Sequence, residues 1–354
     1  MSEFLTARLI VASTLVLALA ACTPPSAEDD SAVDEATVND GAMADEMATE
    51  ADAPAGDDDA SMMDDAGDDD AGNDADAGGL PQMDIYLANI SWTDQMPSID
   101  APQNATNHPG YDNQPAFAAN SHDFYYSAET ASGTTDVFLF GDASGEIFQV
   151  TDTPEDGEFS PRELGDATGI AFLHQNAEGV QHVTRSDFAG ENRSVMIDLD
   201  PVGYFAFSGD GNQIAMFVLT EPFTLQVADL STGDVEVVYE NIDRALYATT
   251  DGMGAIFTTP RDGDDGFRAM YYSFTDGEIE YLFDLPGASQ DYALVDAPDG
   301  LVGAFASSEG TLYYRTTNDI DWTPIADLSA YGLEGVTRMA VSDDSAKIAI
   351  VAAE

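Results

Sequence analysis

The stretch N-H-P-G-Y-D-N-Q-P-A-F at residues 107–117 decides how this chain is read. Pro109-Gly110 makes a turn, and Tyr111, Asp112 and Asn113 supply three polar tips. Pro115-Ala116-Phe117 starts a short strand, and after a tight connection D-F-Y-Y-S (123–127) forms the next. Units of turn, strand, turn and strand return to the C-terminus at a period of roughly 45 residues, within the range of propeller blades.

Blade 1 continues through T-D-V-F-L-F (135–140) to the outer strand E-I-F-Q-V-T (146–151). Blade 2 opens with Glu158-Phe159-Ser160-Pro161 and has outer strands at 180–186 and 194–197. Blade 3 shows the plan most clearly: Tyr204-Phe205-Ala206-Phe207, the turn Ser208-Gly209-Asp210-Gly211, then I-A-M-F-V (214–218). Blades 4 and 5 carry the turns Thr249-Thr250-Asp251-Gly252 and Ala297-Pro298-Asp299-Gly300. Blade 6 has Ser342-Asp343-Asp344-Ser345 and the strand 348–351, then lacks one or two strands. The alternating segment M-D-I-Y-L-A-N-I (83–90) has no blade of its own and is the right length to fill part of that gap. Asp and Gly suit such turns because both tolerate positive φ. The fold class expected is all-β: a six-bladed β-propeller of four-stranded antiparallel blades over 81–354.

The 354 residues carry 67 acidic and 10 basic side chains, a formal net charge of -57. No basic footprint exists to displace counterions from phosphates, so nucleic acid is not an expected partner. Self-repulsion favours a soluble monomer. The single cysteine, Cys22, excludes an internal disulfide framework.

Residues 1–21 read as a secretory leader, with Arg8 before the apolar run 9–20. Leu19-Ala20-Ala21-Cys22 resembles a bacterial lipobox, which implies cleavage before Cys22 and lipid on that residue. Thr23 follows it instead of Asp, which by resemblance to enterobacterial sorting rules points to the outer membrane, facing the periplasm. The segment 22–80 holds about twenty acids and no base, and is expected to be a disordered, extended tether. No D-x-[DN]-x-[DN]-G-x5-E loop occurs in it, so a spacer is preferred over specific calcium binding.

The repeated unit, N-x-P-G-Y-D-N-Q-P-A-F followed by D-F-Y-Y-S, T-D-V-F-L-F and I-F-Q-V-T, resembles the WD-repeat-like propeller module of the TolB family. The turns of blades 3 and 5 match that family's Ser-Pro-Asp-Gly type. Blade 1 departs from it with Ala118-Ala119-Asn120-Ser121, and blade 2 barely has it. The resemblance implies the fold over 81–354. It also implies a scaffold or interaction role, although the family's Pal-binding role belongs to a protein with an extra N-terminal α/β domain. In this chain the acidic segment takes that domain's place.

No G-x-S-x-G elbow or H-E-x-x-H motif is present, and no catalytic residue, cofactor or metal is assigned. His174 and His182 can face each other across a hairpin as metal ligands, although polar strand histidines are the plainer reading. Glu158 with Asp112 can serve as an acid–base pair, but among so many carboxylates any pairing is cheap. In a propeller the residues just before each innermost strand gather at one channel mouth. Those are Tyr111, Asp112 and Asn113; Glu158; Tyr204; Asp243 and Arg244; Asp291 and Tyr292; and Arg338. They suggest a surface for a peptide or polar ligand, with the planar arginine fork suited to carboxylates. Mutual pairing that closes the mouth is the alternative. The reading carried forward is a non-enzymatic envelope lipoprotein whose propeller binds a protein or peptide partner. A small-ligand sensor and a lyase or hydrolase using channel-mouth carboxylates are the alternatives.

Overall fold

The computed structural model describes residues 80–353, which are almost wholly β. The leader, Cys22 and all but the last residue of the expected tether lie outside the described residues. Six antiparallel sheets of four principal strands form the six blades of a propeller. In blades 1 to 5 the innermost strands are Asp112–Phe117, Gly157–Glu163, Val202–Phe207, Asp243–Ala248 and Tyr292–Asp296. The three strands after each stack outward in chain order.

Blade 6 is composite, and it closes the ring. Glu334–Val341 is innermost and Lys347–Ala353 second. Met83–Thr93 then pairs antiparallel with the second strand, from Met83↔Ala353 to Asn89↔Lys347, and Met96–Ile99 forms the outer edge. The two strands that blade 6 lacks at its C-terminal end thus come from the other end of the domain. Closure of this kind leaves only short, protected edges.

Burial follows position within a blade. Second strands are sandwiched between neighbouring blades, so Gln213–Val218 (QIAMFV) and Ile170–Gln175 (IAFLHQ) are apolar runs with no alternation. The outer strand Glu146–Gln149 is exposed at every residue. One apolar cluster fills each of the six interfaces between blades. The smallest, Tyr125, Val137, Ile170 and Phe172, lies between blades 1 and 2. There the buried polar residues Asp136, Thr151 and Glu158 complete the contact.

The hairpin joining first to second strand uses one device in all six blades. A residue with positive φ stands at the turn: Asn120 (53°), Ala167 (52°), Gly211 (70°), Gly252 (67°), Gly300 (79°) and Ser345 (56°). In blades 2 to 6 the preceding residue is an aspartate whose Oδ1 accepts the backbone N–H two residues on. The distances are 3.1 Å from Thr168, 3.0 Å from Asn212, 3.0 Å from Met253, 3.1 Å from Leu301 and 3.1 Å from Ala346. This aspartate turn replaces a backbone hydrogen bond with a side-chain one. Blade 2 therefore keeps the aspartate and the positive φ of this turn, in Leu164-Gly165-Asp166-Ala167, although alanine stands where blade 3 has Gly211 and leucine where it has Ser208.

Candidate functional site: the central channel

Most innermost strands are not regular. Register shifts interrupt blade 1 between Asn113 and Ala116, blade 2 between Phe159 and Arg162, blade 3 between Val202 and Tyr204, blade 4 between Asp243 and Leu246, and blade 6 between Glu334 and Arg338. Gln114 (φ 58°), Ser160 (52°) and Gly335 (55°) take left-handed conformations within these bulges. A bulge opposes extra residues to one and re-aims the side chains around it, here toward the channel. Gln114 also ties two blades together, since its Oε1 accepts from Ser127 Oγ (3.1 Å) and from Ser160 N (2.7 Å).

The re-aimed residues bring three arginines to the channel: Arg162 of blade 2, Arg244 of blade 4 and Arg338 of blade 6. Together they line a cavity of about 20 Å³ with Gln114, Tyr204 and Tyr247. Arg244 and Arg338 also form part of the wall of a vestibule of about 410 Å³ at one end of the channel. Asp291, Ser289, Ser307, Ser308 and Thr337 line that vestibule as well.

Aromatic rings hold the guanidinium groups. Arg338 stands 4.6 Å from the Tyr204 ring centroid and donates to the Tyr204 hydroxyl, and Arg162 lies 5.5 Å from the Tyr247 centroid. Arg244 Nη2 donates to the carbonyl of Thr337 (3.5 Å). Asp291 accepts from Tyr247 Oη (2.7 Å) and from Met339 N (3.2 Å). Burial pushes Asp291 above its ordinary carboxylate value, against the pull of Arg338, the Tyr247 hydrogen bond and Arg244. Burial raises Asp243 as well, against the backbone N–H and guanidinium of Arg244.

The remaining residues anticipated for the mouth go to different places. Tyr292 is buried between blades 4 and 5, where its hydroxyl donates to Ile256 O (2.7 Å) and its ring backs Tyr247 edge-on. Tyr111 and Asp112 are buried at the start of blade 1's inner strand, with His108 3.8 Å from Asp112. Asn113 Oδ1 accepts from Gln114 N (2.7 Å) inside the bulge. Glu158 lines neither cavity. It accepts from Thr151 (3.1 Å), Thr153 (2.7 and 2.6 Å) and Arg193 (2.8 Å) in the blade 1–blade 2 interface. Burial, with a hydrogen bond to Asp136, raises Glu158 to about 7. Glu158 and Asp112 thus have separate partners. His174 and His182 do pair across a hairpin, but His174 turns to Asp156 (3.0 Å) and His182 to the carbonyl of Leu199 (3.0 Å). Among the described residues no group of three or more metal-ligating side chains is assembled.

Arg162, Tyr247 and Gln114 in the inner cavity, and Ser289, Ser307, Ser308 and Thr337 in the vestibule, are lining residues that sequence reasoning missed. It took residues from the starts of the inner strands, whereas the channel is lined further along them. The available signal was a proline inside a short strand, at Pro115 and Pro161, since proline within a sheet marks a bulge or an edge.

No protein-family model matches this chain, and no curated protein matches it. Solved structures do. The putative TolB from Agrobacterium tumefaciens superposes with a TM-score of 0.55 at 14% identity, covering 77% of this chain and 99% of that one. TolB from Acinetobacter baumannii gives 0.49 at 17% identity over 65% of this chain, which spans 63% of that protein's length. Oligogalacturonate lyase from Vibrio parahaemolyticus gives 0.45 at 12%, covering 77% of this chain and 98% of that one. The class defined is the six-bladed β-propeller. Within it, the fold of this chain is TolB-like.

Proposed function

We propose that this protein is an envelope lipoprotein, held at the outer membrane by lipid on Cys22, whose propeller takes a segment of a protein or peptide partner at the channel mouth. The observation that carries the reading is the vestibule of about 410 Å³, walled by hydroxyl groups and by Arg244, Arg338 and Asp291. A cavity of that size, within the usual range of about 300–1,000 Å³ for ligand pockets, suits the tip of a peptide better than a flat protein face. The lipobox-like end of the leader supports the anchor, and the acidic segment after it would give the propeller reach from the membrane. The TolB-like fold agrees with a scaffold role, although fold alone assigns no function.

The test is crosslinking in intact cells, followed by capture of the tagged protein and mass spectrometry. Ala288→Trp is the control, because Ala288 is exposed and lines the vestibule, so a large ring there obstructs the mouth and leaves the buried network untouched. An envelope protein captured by wild type and lost in the variant is the expected result. Empty capture would favour a small ligand of the same cavity, such as a glycan or peptide fragment, sought by a thermal-shift screen. Cys22→Ser should release the protein from the membrane fraction, and retention there would remove the anchor from this reading.

A further inference from the structure

Three of the chain's ten basic residues meet in one channel, on alternate blades, in a protein of net charge -57. Their charges repel one another, and Arg338 is 7% exposed. Two carboxylates stand near them. Asp291 is committed to Tyr247 and Met339, and Asp243 lines neither cavity. The Nε atoms of Arg162 and Arg338 are buried and meet no acceptor among the described residues, and neither does the Thr337 hydroxyl in the vestibule wall. Buried donors without acceptors are rare in native proteins, and they recur where a ligand supplies the missing atom.

We propose that the channel is a carboxylate-binding site, and that the peptide taken at the mouth is anchored by a carboxylate reaching Arg338 and Arg244, with Arg162 behind them. The inference rests on the partner-binding reading for the identity of the ligand, but not for the chemistry of the site. Space selects the group. The inner cavity of about 20 Å³ admits an oxygen or two, and the vestibule of about 410 Å³ admits the body of the ligand. A planar carboxylate is therefore favoured over the bulkier tetrahedral phosphate. Chemistry selects it as well, because the guanidinium groups of Arg338 and Arg162 are held beside the rings of Tyr204 and Tyr247, at 4.6 and 5.5 Å from their centroids, and an arginine fork suits two-point binding to a planar acid. Ser307, Ser308 and Thr337 line the same space, and their hydroxyls suit peptide carbonyl and amide groups, whereas the Ser289 hydroxyl is committed to the carbonyl of Asp291 (3.0 Å).

The test is the side-chain Nε–Hε spectrum of the full-length protein with 15N-labelled arginine, which contains few signals. Arg162→Lys and Arg338→Lys assign two of them by loss. The probes are acetyl-triglycine, its carboxamide and inorganic phosphate at matched ionic strength. The expected result is a saturable shift of the Arg162 and Arg338 signals with the free acid and no shift with the amide or phosphate. Arg162→Gln, at a partly exposed position, should fold and weaken the effect on Arg338 about tenfold. Signals that ignore the acid into the tens of millimolar, or that respond equally to the amide or to phosphate, would overturn the carboxylate site. The two readings fail separately. A shift with the acid alongside partner capture unaffected by Ala288→Trp would keep this site and remove mouth docking. Capture that depends on the mouth, with signals indifferent to the acid, would do the reverse.

Discussion

Ala167 holds a left-handed backbone (φ 52°) at a turn position where blades 3, 4 and 5 use glycine. For a residue with a Cβ that conformation costs roughly 1–2 kcal/mol, and the extra freedom of glycine in the unfolded chain returns about 0.5–1 of it. Ala167→Gly is therefore expected to raise stability by about 0.5–1 kcal/mol in denaturant unfolding. Gly211→Ala, at φ 70° with open space around its Cβ, should lower stability by a similar amount. A second residue-scale case is Glu158. Its folded pKa of about 7 lies above the ordinary 4.5, so between those values the folded state binds more protons than the unfolded one. Its contribution is fully present below about pH 4.5 and is lost as pH rises toward 7. Relative to Glu158→Gln, which cannot ionise, wild type should lose about 3 kcal/mol across that window. Parallel stability–pH curves for the two proteins would contradict this account of the blade 1–blade 2 interface.

At the scale of elements, the fold was legible where a device repeats and illegible where a strand is broken. Turns such as Ser208-Gly209-Asp210-Gly211 recur because every inner hairpin needs one positive φ, and those of blades 2 to 6 add a carboxylate acceptor, and both leave marks in sequence. The lone segment 83–90 was readable as a strand without a sheet, and the open sixth blade showed where it belonged. The bulges left a fainter mark, a proline within the inner strands of blades 1 and 2 alone. Alternation along Glu158-Phe159-Ser160-Pro161-Arg162 runs through a register shift, so counting by twos assigns Arg162 no particular direction. Of the residues anticipated at the mouth, Tyr204, Arg244, Asp291 and Arg338 line the two cavities, whereas the lining residues Arg162 and Tyr247 were not anticipated. The seam of blade 6 carries its own prediction. Ile85 and Ile350 are fully buried on paired strands from opposite ends of the described chain. Either change to alanine should cost about 2–5 kcal/mol. Ile85→Ala should also speed amide exchange in Lys347–Ala353, the partner strand, as much as in its own. Exchange that loosens only around residue 85 would mean that the ring stays closed without its N-terminal strands.

At the scale of the whole molecule, the channel and the surface oppose each other. The chain carries a net charge of -57, whereas the cavity is lined by three guanidinium groups, so an acidic peptide is repelled at long range and held at contact. The two effects respond differently to salt. Exposed charges are screened over a Debye length that shrinks from about 30 Å at 0.01 M to about 8 Å at 0.15 M, whereas buried contacts are screened much less. Most complementary pairs associate more slowly as salt is added. Here the association rate of a peptide with a free carboxylate is expected to rise between those two concentrations, with little change in dissociation. Stopped-flow mixing of a labelled acidic peptide with the full-length protein at both salts measures it. A rate that falls instead would mean that the field at the mouth is already positive, so that the arginines attract from a distance as well as bind.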